Sequence, residues 1–154
     1  MEAARPAIAD DLPRLAELVD QARLELGPMR GGRVFLAREA APDHGGLAAG
    51  LQDPRRAVWS GTIDGFVVGY AAAHHEDLRD GSRLGVIDTL FVEPEARSVG
   101  VGEALIGEAL TWCTTQGCAG VDASALPGNR ATKNFFEEAG FTARLLVMHR
   151  HLGE

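Results

Sequence analysis

The sequence predicts an α+β domain with a mixed, mostly antiparallel central sheet and helices on both faces. Two observations predict this class. Three apolar segments joined by tight turns follow one another in the middle of the chain, which is typical of antiparallel strands. A strand, a glycine-rich turn, a helix and another strand then follow between Val86 and Ala125, which is the order of a parallel β-α-β crossover. A chain of 154 residues fits a single domain, residues 1–154.

The first third of the chain predicts a strand, a helix and an irregular segment. Ala3–Ile8 is short and apolar enough for a strand, and Asp10 is placed to cap the helix that follows. This helix has one apolar face and ends at the Gly-Pro pair after it. Repeated Gly and Pro interrupt residues 28–57, which allow only short helices around Val34–Ala41 and Leu47–Leu51. An irregular segment of this length suggests a lid or specificity loop.

The middle of the chain predicts three consecutive antiparallel strands. Val58–Ile63 and Phe66–His75 are separated by Asp64-Gly65, the strongest short signal for a β-hairpin. A second turn at Asp80-Gly81 leads into a strand over Arg83–Val92.

The last third alternates helices and strands. Apolar periodicity predicts a helix over about Val101–Gln116, followed by a strand over Val121–Ala125. Asn129 is placed as the N-cap of a helix over Arg130–Ala139. Phe141–Leu152 predicts one final extended segment.

Composition and charge narrow the function classes. The net charge of −7 argues against general nucleic-acid binding and is compatible with a cationic substrate such as an amine. No apolar run approaches the ~20 residues that cross a bilayer, and the acidic N-terminal residues lack the apolar core of a signal peptide. Cys113 and Cys118 have no metal-like spacing with any histidine, so we expect free thiols, no metal and a cytoplasmic location.

The turn Arg97–Gly102 (RSVGVG) between a strand and a helix predicts a phosphate-binding site. The first N–H groups of a helix lack intrahelical partners, and the helix dipole is positive there. A Cβ at Gly100 or Gly102 would hold a pyrophosphate away from the backbone. The pattern lacks the Lys of a nucleoside-triphosphate P-loop and the order of a dinucleotide fingerprint. Glycines at such a turn can also serve only to make the turn tight.

Two motifs in register resemble the GNAT superfamily of acyl-CoA-dependent N-acetyltransferases. Leu90-Phe-Val92-Glu-Pro94 followed by Arg97–Gly102 is similar to that family's strand and Gln/Arg-x-x-Gly-x-Gly/Ala turn. Asn129, Gly140 and Phe141 match a second motif, Asn-x7-Tyr-x3-Gly-Phe. The family's usual tyrosine, often the proton donor to the leaving thiolate, corresponds to Phe136, which has no proton to give.

The resemblance implies an acetyl-CoA site and a splayed central strand. The backbone N–H groups of Val99–Gly102, with Arg97 and Ser98, would hold the pyrophosphate. The strand over Leu90–Val92 would part from its neighbour, and the N–H of Val92 or Phe91 would polarise the thioester oxygen. The full set of expected cofactor-binding residues is Leu90, Phe91, Val92, Arg97, Ser98, Val99, Gly100, Val101, Gly102, Asn129 and Phe136.

Two carboxylates are candidates for the general base that takes a proton from the acceptor amine. Asp88 is the first, because strand alternation predicts that it shares a face with Leu90 and Val92, and because an unpaired Asp inside VIDTLFV would be costly to bury. It could equally be held by neighbouring backbone or an arginine. Glu93, at the strand end, is the second candidate, although a solvated glutamate is common at such a turn.

Other residues are weaker candidates for contact with the substrate. His74 and His75 should face opposite sides of their strand, so that one could reach the substrate, and Tyr70 is expected in the core. With Phe136 in the tyrosine position, the proton for the thiolate would come from water or Ser124, or would not be needed.

The leading hypothesis is an acetyl-CoA-dependent N-acetyltransferase that acts on a primary amine by direct attack in a ternary complex. The alternatives are an acyl-CoA-binding regulatory module of weak activity, suggested by Phe136, and an unrelated α+β domain with a structural glycine turn. Selectivity would lie in residues 28–57 and in the tail, so small amines, peptide N-termini and protein lysines all stay open. An uncovered sheet edge makes a homodimer a further expectation.

Overall fold

The chain folds around one five-stranded sheet, seen in a computed structural model that describes residues 1–38 and 43–153. The strands lie in sequence order across the sheet, and only the last pair is parallel. The strands are β1 (Glu2–Pro6), β2 (Arg56–Ile63), β3 (Phe66–Asp77), β4 (Arg83–Val92) and β5 (Gly120–Ala123). The helices are α1 (Leu12–Leu26), α2 (Gly32–Ala37), α3 (His44–Gly50), α4 (Val101–Thr115) and α5 (Arg130–Glu138). The predicted mixed α+β class is confirmed.

Tight turns set the antiparallel part of the sheet. Asp64 and Gly65 both have positive φ, 49° and 86°, as a two-residue turn that follows the strand twist requires. Gly81, also at positive φ, completes the turn between β3 and β4. The three predicted antiparallel strands are therefore confirmed, with β2 beginning two residues earlier than expected.

Two apolar layers cover the sheet, one on each face. On one face α4 and α5 pack over side chains that include Trp59, Ile87 and Val92. On the other face α1 and α3 pack over a second set that includes Tyr70, Ala72 and Phe91. We call these the α4 face and the α1 face. Tyr70 is 2% exposed, which confirms its predicted place in the core.

The sheet opens between β4 and β5. Only Leu84–Ile87 of β4 pair with β5, whereas β3 accompanies β4 as far as Val92. The edge of β4 from Asp88 to Val92 therefore has no strand beside it on the β5 side, within the part of the chain that the structure describes. This is the parting of central strands that the family resemblance implied.

Three local expectations differ from the structure. Asp10 does not cap α1; Asp11 occupies that position, and its carboxylate accepts hydrogen bonds from the Ile8 N–H, Arg5 and Ser60. The predicted final strand at Phe141–Leu152 is wrong, because residues 141–153 contain no strand or helix. The two short helices in the irregular segment exist with shifted bounds, and the part of that expectation on residues 39–41 lies outside the described residues.

Candidate active site

The turn before α4 presents a concentration of free backbone donors. Ser98 has φ 65° and Gly100 has φ 107°, so two residues in three adopt the left-handed region. The first bond of the helix joins the Ala104 N–H to the Gly100 carbonyl oxygen. Among the described residues, no hydrogen bond uses the N–H groups from Gly100 to Glu103, so these donors are available to an anion.

The two glycines of the turn are needed for different reasons. Gly100 is needed for its positive φ, because a Cβ there would meet only Glu2 at an ordinary 3.7 Å. At Gly102 a Cβ would lie 3.0 Å from the ring of Phe135 on α5. Gly102 therefore allows α5 to pack closely against the start of α4, a reason different from the one inferred from the sequence.

The Arg97 side chain points away from these free N–H groups. Its Nε donates to the Val92 carbonyl oxygen at 2.7 Å, and its Nη atoms pair with Glu25 of α1 at 2.9 Å. The guanidinium also lies over the Phe91 ring, 5.4 Å from its centroid. In this arrangement the Arg97 guanidinium already has partners, and the donors left without one are backbone N–H groups of the turn.

The open edge of β4 presents backbone groups of alternate residues. The Glu93 N–H donates to the Val68 carbonyl oxygen on the β3 side, at 2.9 Å. By alternation the N–H of Phe91 also faces β3, whereas those of Leu90 and Val92 face the open edge. Of the two N–H groups suggested from the sequence to polarise a thioester oxygen, the geometry favours that of Val92.

Asp88 forms a buried pair with His74. The side chain of Asp88 is 5% exposed, and both its carboxylate oxygens lie 2.9 Å from the His74 Nδ1. The other ring nitrogen of His74 lies 2.9 Å from a carboxylate oxygen of Glu76. The hydrogen bond to Asp88 raises the pKa of His74 to about 9, with Glu76 adding to this effect and burial opposing it. Burial also raises the pKa of Asp88, although His74 opposes that rise.

The predicted face of Asp88 is wrong. Ala72 pairs with Thr89 and Ala73 pairs with Ile87, so Asp88 is the extra residue of a β-bulge. The bulge interrupts strand alternation and turns Asp88 to the α1 face, where His74 lies two residues from the core residue Ala72. Asp88 is also the first β4 residue beyond the pairing with β5, so it sits where the sheet opens.

Both carboxylate oxygens of Glu93 are occupied. Arg14 donates to one at 2.6 Å and Gln21 donates to the other at 2.9 Å. These donors come from α1, so Glu93 joins that helix to the end of β4. Sequence patterns cannot identify these partners, because both lie more than 70 residues away along the chain.

Asn129, Phe136 and His75 each make a hydrogen bond or a packing contact within the fold. Asn129 caps α5, accepting a hydrogen bond from the Thr132 N–H at 3.4 Å, which confirms the cap. Phe136 is 7% exposed and packs against Phe135 and Phe141. His75 is buried on the α4 face beside Trp112, opposite to His74, as alternation predicted.

The cysteines lie far from the glycine turn. A Cβ at Gly85 would meet the Sγ of Cys113 at 2.5 Å and that of Cys118 at 3.4 Å, which places both at the start of β4. Val92 is seven residues farther along the strand, roughly 23 Å away. Burial raises the pKa of Cys113 to about 12. No disulfide joins the two thiols.

A parted central strand beside free helix N–H groups is an arrangement that can bind the phosphates of a nucleotide cofactor. Comparison with known proteins identifies the family: the model of the acetyltransferase (GNAT) family matches residues 15–141. The chain is also 30% identical over 107 residues to an aminoglycoside N(6')-acetyltransferase type 1 of Salmonella typhimurium, covering 65% of this chain and 74% of that protein. The chain belongs to the GNAT family of acetyltransferases.

Solved structures have the same fold. A tetramutant of the BH1408 protein from Bacillus halodurans superimposes with a TM-score of 0.82 at 17% identity, covering 97% of this chain and 99% of that one. AAC(6')-Iy, solved with a bisubstrate analogue, CoA-S-monomethyl-acetylneamine, gives a TM-score of 0.74 at 23% identity, covering 99% of both chains.

Family membership establishes an enzyme that transfers acetyl groups to amines, and GNAT acetyltransferases use acetyl-CoA. The two alternative hypotheses, a weakly active acyl-CoA-binding module and an unrelated α+β domain, are therefore less well supported than an acetyltransferase. In residues 1–38 and 43–153 no cluster of three or more His, Cys, Asp or Glu could hold a metal ion. Over the same ranges, no helix has the length and apolar character that crossing a bilayer requires.

Proposed function

We propose that this protein acetylates a primary amine of a small, polycationic acceptor by direct attack within a ternary complex. The observation that carries the proposal is the open edge of β4, which has free backbone donors at one end and the Asp88–His74 pair at the other. Acetyl-CoA would supply the acetyl group as a thioester.

The cofactor half of the site fits a pyrophosphate and a pantetheine arm. The free N–H groups from Gly100 to Glu103 would hold the phosphates, and the backbone groups of Leu90 at the open edge would bond the arm. The Val92 N–H would stabilise negative charge on the thioester oxygen. The Val92 carbonyl oxygen already accepts from Arg97, so only the donor of that residue is available.

Direct attack is supported by the position of the thiols. A covalent acetyl-enzyme would need a nucleophile near the thioester, but Cys113 and Cys118 lie at the opposite end of β4. A thiol with the raised pKa of Cys113 also forms little thiolate at neutral pH. The amine nitrogen would therefore attack the thioester carbonyl carbon directly. The bond from that carbon to sulfur would then break and release the CoA thiolate.

Asp88 would receive the proton of the acceptor ammonium. Its raised pKa makes it a stronger base than an ordinary aspartate, while His74, between two carboxylates, carries its own proton near neutral pH. Four residues, roughly 13 Å, separate Asp88 from Val92 along the strand, so water would carry the proton. Glu93 is a weaker candidate, because Arg14 and Gln21 hold both its oxygens.

The leaving thiolate needs no tyrosine. Phe136 is buried among Phe135 and Phe141, and Tyr70 is enclosed in the core with a pKa raised to about 12 by burial. A thiol of ordinary pKa, about 8.5, leaves readily as thiolate and takes its proton from water.

A polycationic acceptor is supported by charge and by the relatives. The chain has a net charge of −7, which favours a cationic acceptor. The similar proteins named above include aminoglycoside acetyltransferases, whose substrates carry several amines. An aminoglycoside or a related polyamine is therefore the acceptor class that we propose.

The test is the release of free thiol from acetyl-CoA across a panel of aminoglycosides, aliphatic polyamines, monoamines and lysine peptides. We expect the highest kcat/KM with an acceptor of several charges. Asp88→Asn should lower kcat by about 100-fold or more, with little change in acetyl-CoA affinity. Cofactor binding without turnover on any amine would favour the regulatory module instead, and a preference for monoamines would contradict the acceptor class.

A further inference from the structure

The two cysteines of the chain converge on one residue at the start of β4. A Cβ at Gly85 would lie 2.5 Å from the Sγ of Cys113 and 3.4 Å from the Sγ of Cys118. Both sulfurs therefore occupy the space that a side chain at position 85 would need, and glycine at that position leaves room for them. The two thiols are neighbours on the α4 face of the sheet.

The end of α4 holds the backbones of the two cysteines close together. The Cys118 N–H donates to the Cys113 carbonyl oxygen at 3.0 Å, and Gly117 has a φ of 79°, which is the Schellman arrangement that ends many helices. This hydrogen bond keeps the two Cα atoms no more than about 7 Å apart. Disulfides usually join Cα atoms that are roughly 4.4–6.8 Å apart. The pair can therefore form a disulfide without a change of fold.

The two thiols differ in their access to solvent. Cys113 is 1% exposed, whereas Cys118 is partly exposed. Burial, and after it the neighbouring Cys118 thiol, raises the pKa of Cys113 to about 12, so Cys113 forms little thiolate. The first reaction with an external oxidant therefore falls to Cys118, the thiol that solvent reaches. Cys113 is placed to react second, from inside the protein.

We propose that Cys113 and Cys118 form a modification site, a dithiol that small-molecule disulfides of the glutathione type convert to an intramolecular disulfide. The Cys118 sulfur attacks one sulfur of the oxidant, whose S–S bond breaks and releases one thiol. The Cys113 sulfur then attacks the Cys118 sulfur of this mixed disulfide and displaces the second thiol. The two cysteines lose two electrons and two protons, which the oxidant takes up as it becomes two thiols.

The new bond would attach the end of α4 to the start of β5. Cys113 belongs to the last turn of α4, and Cys118 lies two residues before β5 begins at Gly120. Only four residue pairs connect β5 to β4, so a covalent bond beside the strand adds substantially to its attachment. Disulfides that solvent reaches are the more readily reduced ones, and the partial exposure of Cys118 therefore makes the modification reversible.

Mass spectrometry of the full chain after incubation with glutathione disulfide tests the modification site. The intact mass should fall by two hydrogen atoms with no bound glutathione, and peptide mapping should place the bond between residues 113 and 118. Dithiothreitol should restore the original mass. Two matched variants separate the steps: Cys113→Ser should retain one glutathione on Cys118, and Cys118→Ser should resist modification, because only the buried thiol is left.

Thermal unfolding shows whether the bond restrains the fold. The Tm of oxidised wild type should be about 4–8 °C above that of the reduced protein, because a closed six-residue ring restricts the unfolded chain. The Tm of Cys118→Ser should not respond to the oxidant. A stable glutathione adduct on wild type, a disulfide between two chains, or no reaction would each overturn the modification site. An oxidised protein whose Tm does not rise would overturn the added attachment of β5.

Discussion

At the scale of single residues, left-handed backbone and a buried carboxylate are found at the positions proposed for the site. Ser98 lies in the left-handed region, which is uncommon for a residue with a side chain, and Gly100 follows it two positions later. Strained backbone of this kind is kept where the surrounding structure enforces it, often at ligand sites. Asp88 is a second exception, a carboxylate 5% exposed in a sheet interior with a histidine as its partner.

Gly100→Ala should weaken acetyl-CoA binding. The alanine must adopt φ near 107° or move the turn, which costs about 1–2 kcal/mol and corresponds to roughly a tenfold loss of affinity. Gly107→Ala is the matched control, because Gly107 is exposed on the same helix with open space around its Cα. It should raise stability by about 0.5–1 kcal/mol and leave affinity unchanged. Isothermal titration calorimetry measures the acetyl-CoA affinity of both variants. Equal affinities for the two variants would contradict the role of the turn.

The His74 pair makes stability depend on pH. Since the pKa of His74 is raised from 6.5 to about 9 in the folded protein, its stabilising contribution is complete below pH 6.5 and is lost as the pH rises through 9. The difference in unfolding free energy between wild type and His74→Gln should therefore be largest near pH 6 and shrink above pH 9.

Nuclear magnetic resonance titration of His74 separates its two partners. Asp88→Asn should lower the pKa of His74 more than Glu76→Gln does, because the bond to Asp88 is the larger cause of the raised value. A His74 pKa that stays near 6.5 in wild type would mean that the pair does not form in solution.

At the scale of elements, α1 holds the end of β4 in place. Arg14 and Gln21 bind Glu93, and Glu25 binds Arg97, so three positions along one helix face reach the segment between the strand and the glycine turn. The helix therefore fixes the strand end from which the Val92 N–H projects. This arrangement gives Glu93 a positioning role.

Glu93→Ala should destabilise the protein more than it slows catalysis. It removes the acceptor of one Arg14 nitrogen and of the Gln21 amide, which costs about 1–3 kcal/mol, whereas kcat should stay within about tenfold of wild type. Glu17→Ala is the control, since that glutamate, 62% exposed, also pairs with Arg14 and should change stability by less than about 0.5 kcal/mol. Urea denaturation and steady-state kinetics give the two values; a large loss of kcat at unchanged stability would instead make Glu93 the base.

Sequence reasoning predicted the elements whose signals are local. The Asp64-Gly65 hairpin, the strand over Arg83–Val92 and the cap at Asn129 each depend on residues within a few positions, and each is confirmed. Alternation failed at Asp88, because a single inserted residue reverses the face and has no marker in VIDTLFV.

Other parts of the site depend on contacts distant in sequence. The partners of Glu93 and Arg97 come from α1, and the need for glycine at position 102 comes from Phe135 on α5. The apolar pattern at Phe141–Leu152 predicted an extended segment, but no strand forms there, because a strand depends on a paired neighbour and not on local pattern alone.

At the scale of the whole molecule, the sheet separates two halves of the site. Free backbone donors for a cofactor lie at the start of α4, and the Asp88–His74 pair faces α1 and α3. Beyond Ile87, β4 has no strand beside it on the β5 side within the described chain, and we propose that the acceptor and the cofactor meet along this edge.

Because β5 is short, this end of the sheet should open locally more often than its centre. Four residue pairs attach it to β4, and α5 after it has a single buried residue, Phe136. Amide protons of residues 118–141 should therefore exchange with deuterium faster than those of β2 and β3. Because Phe135 connects α5 to the turn at Gly102, occupation of that turn by acetyl-CoA should slow exchange throughout this segment.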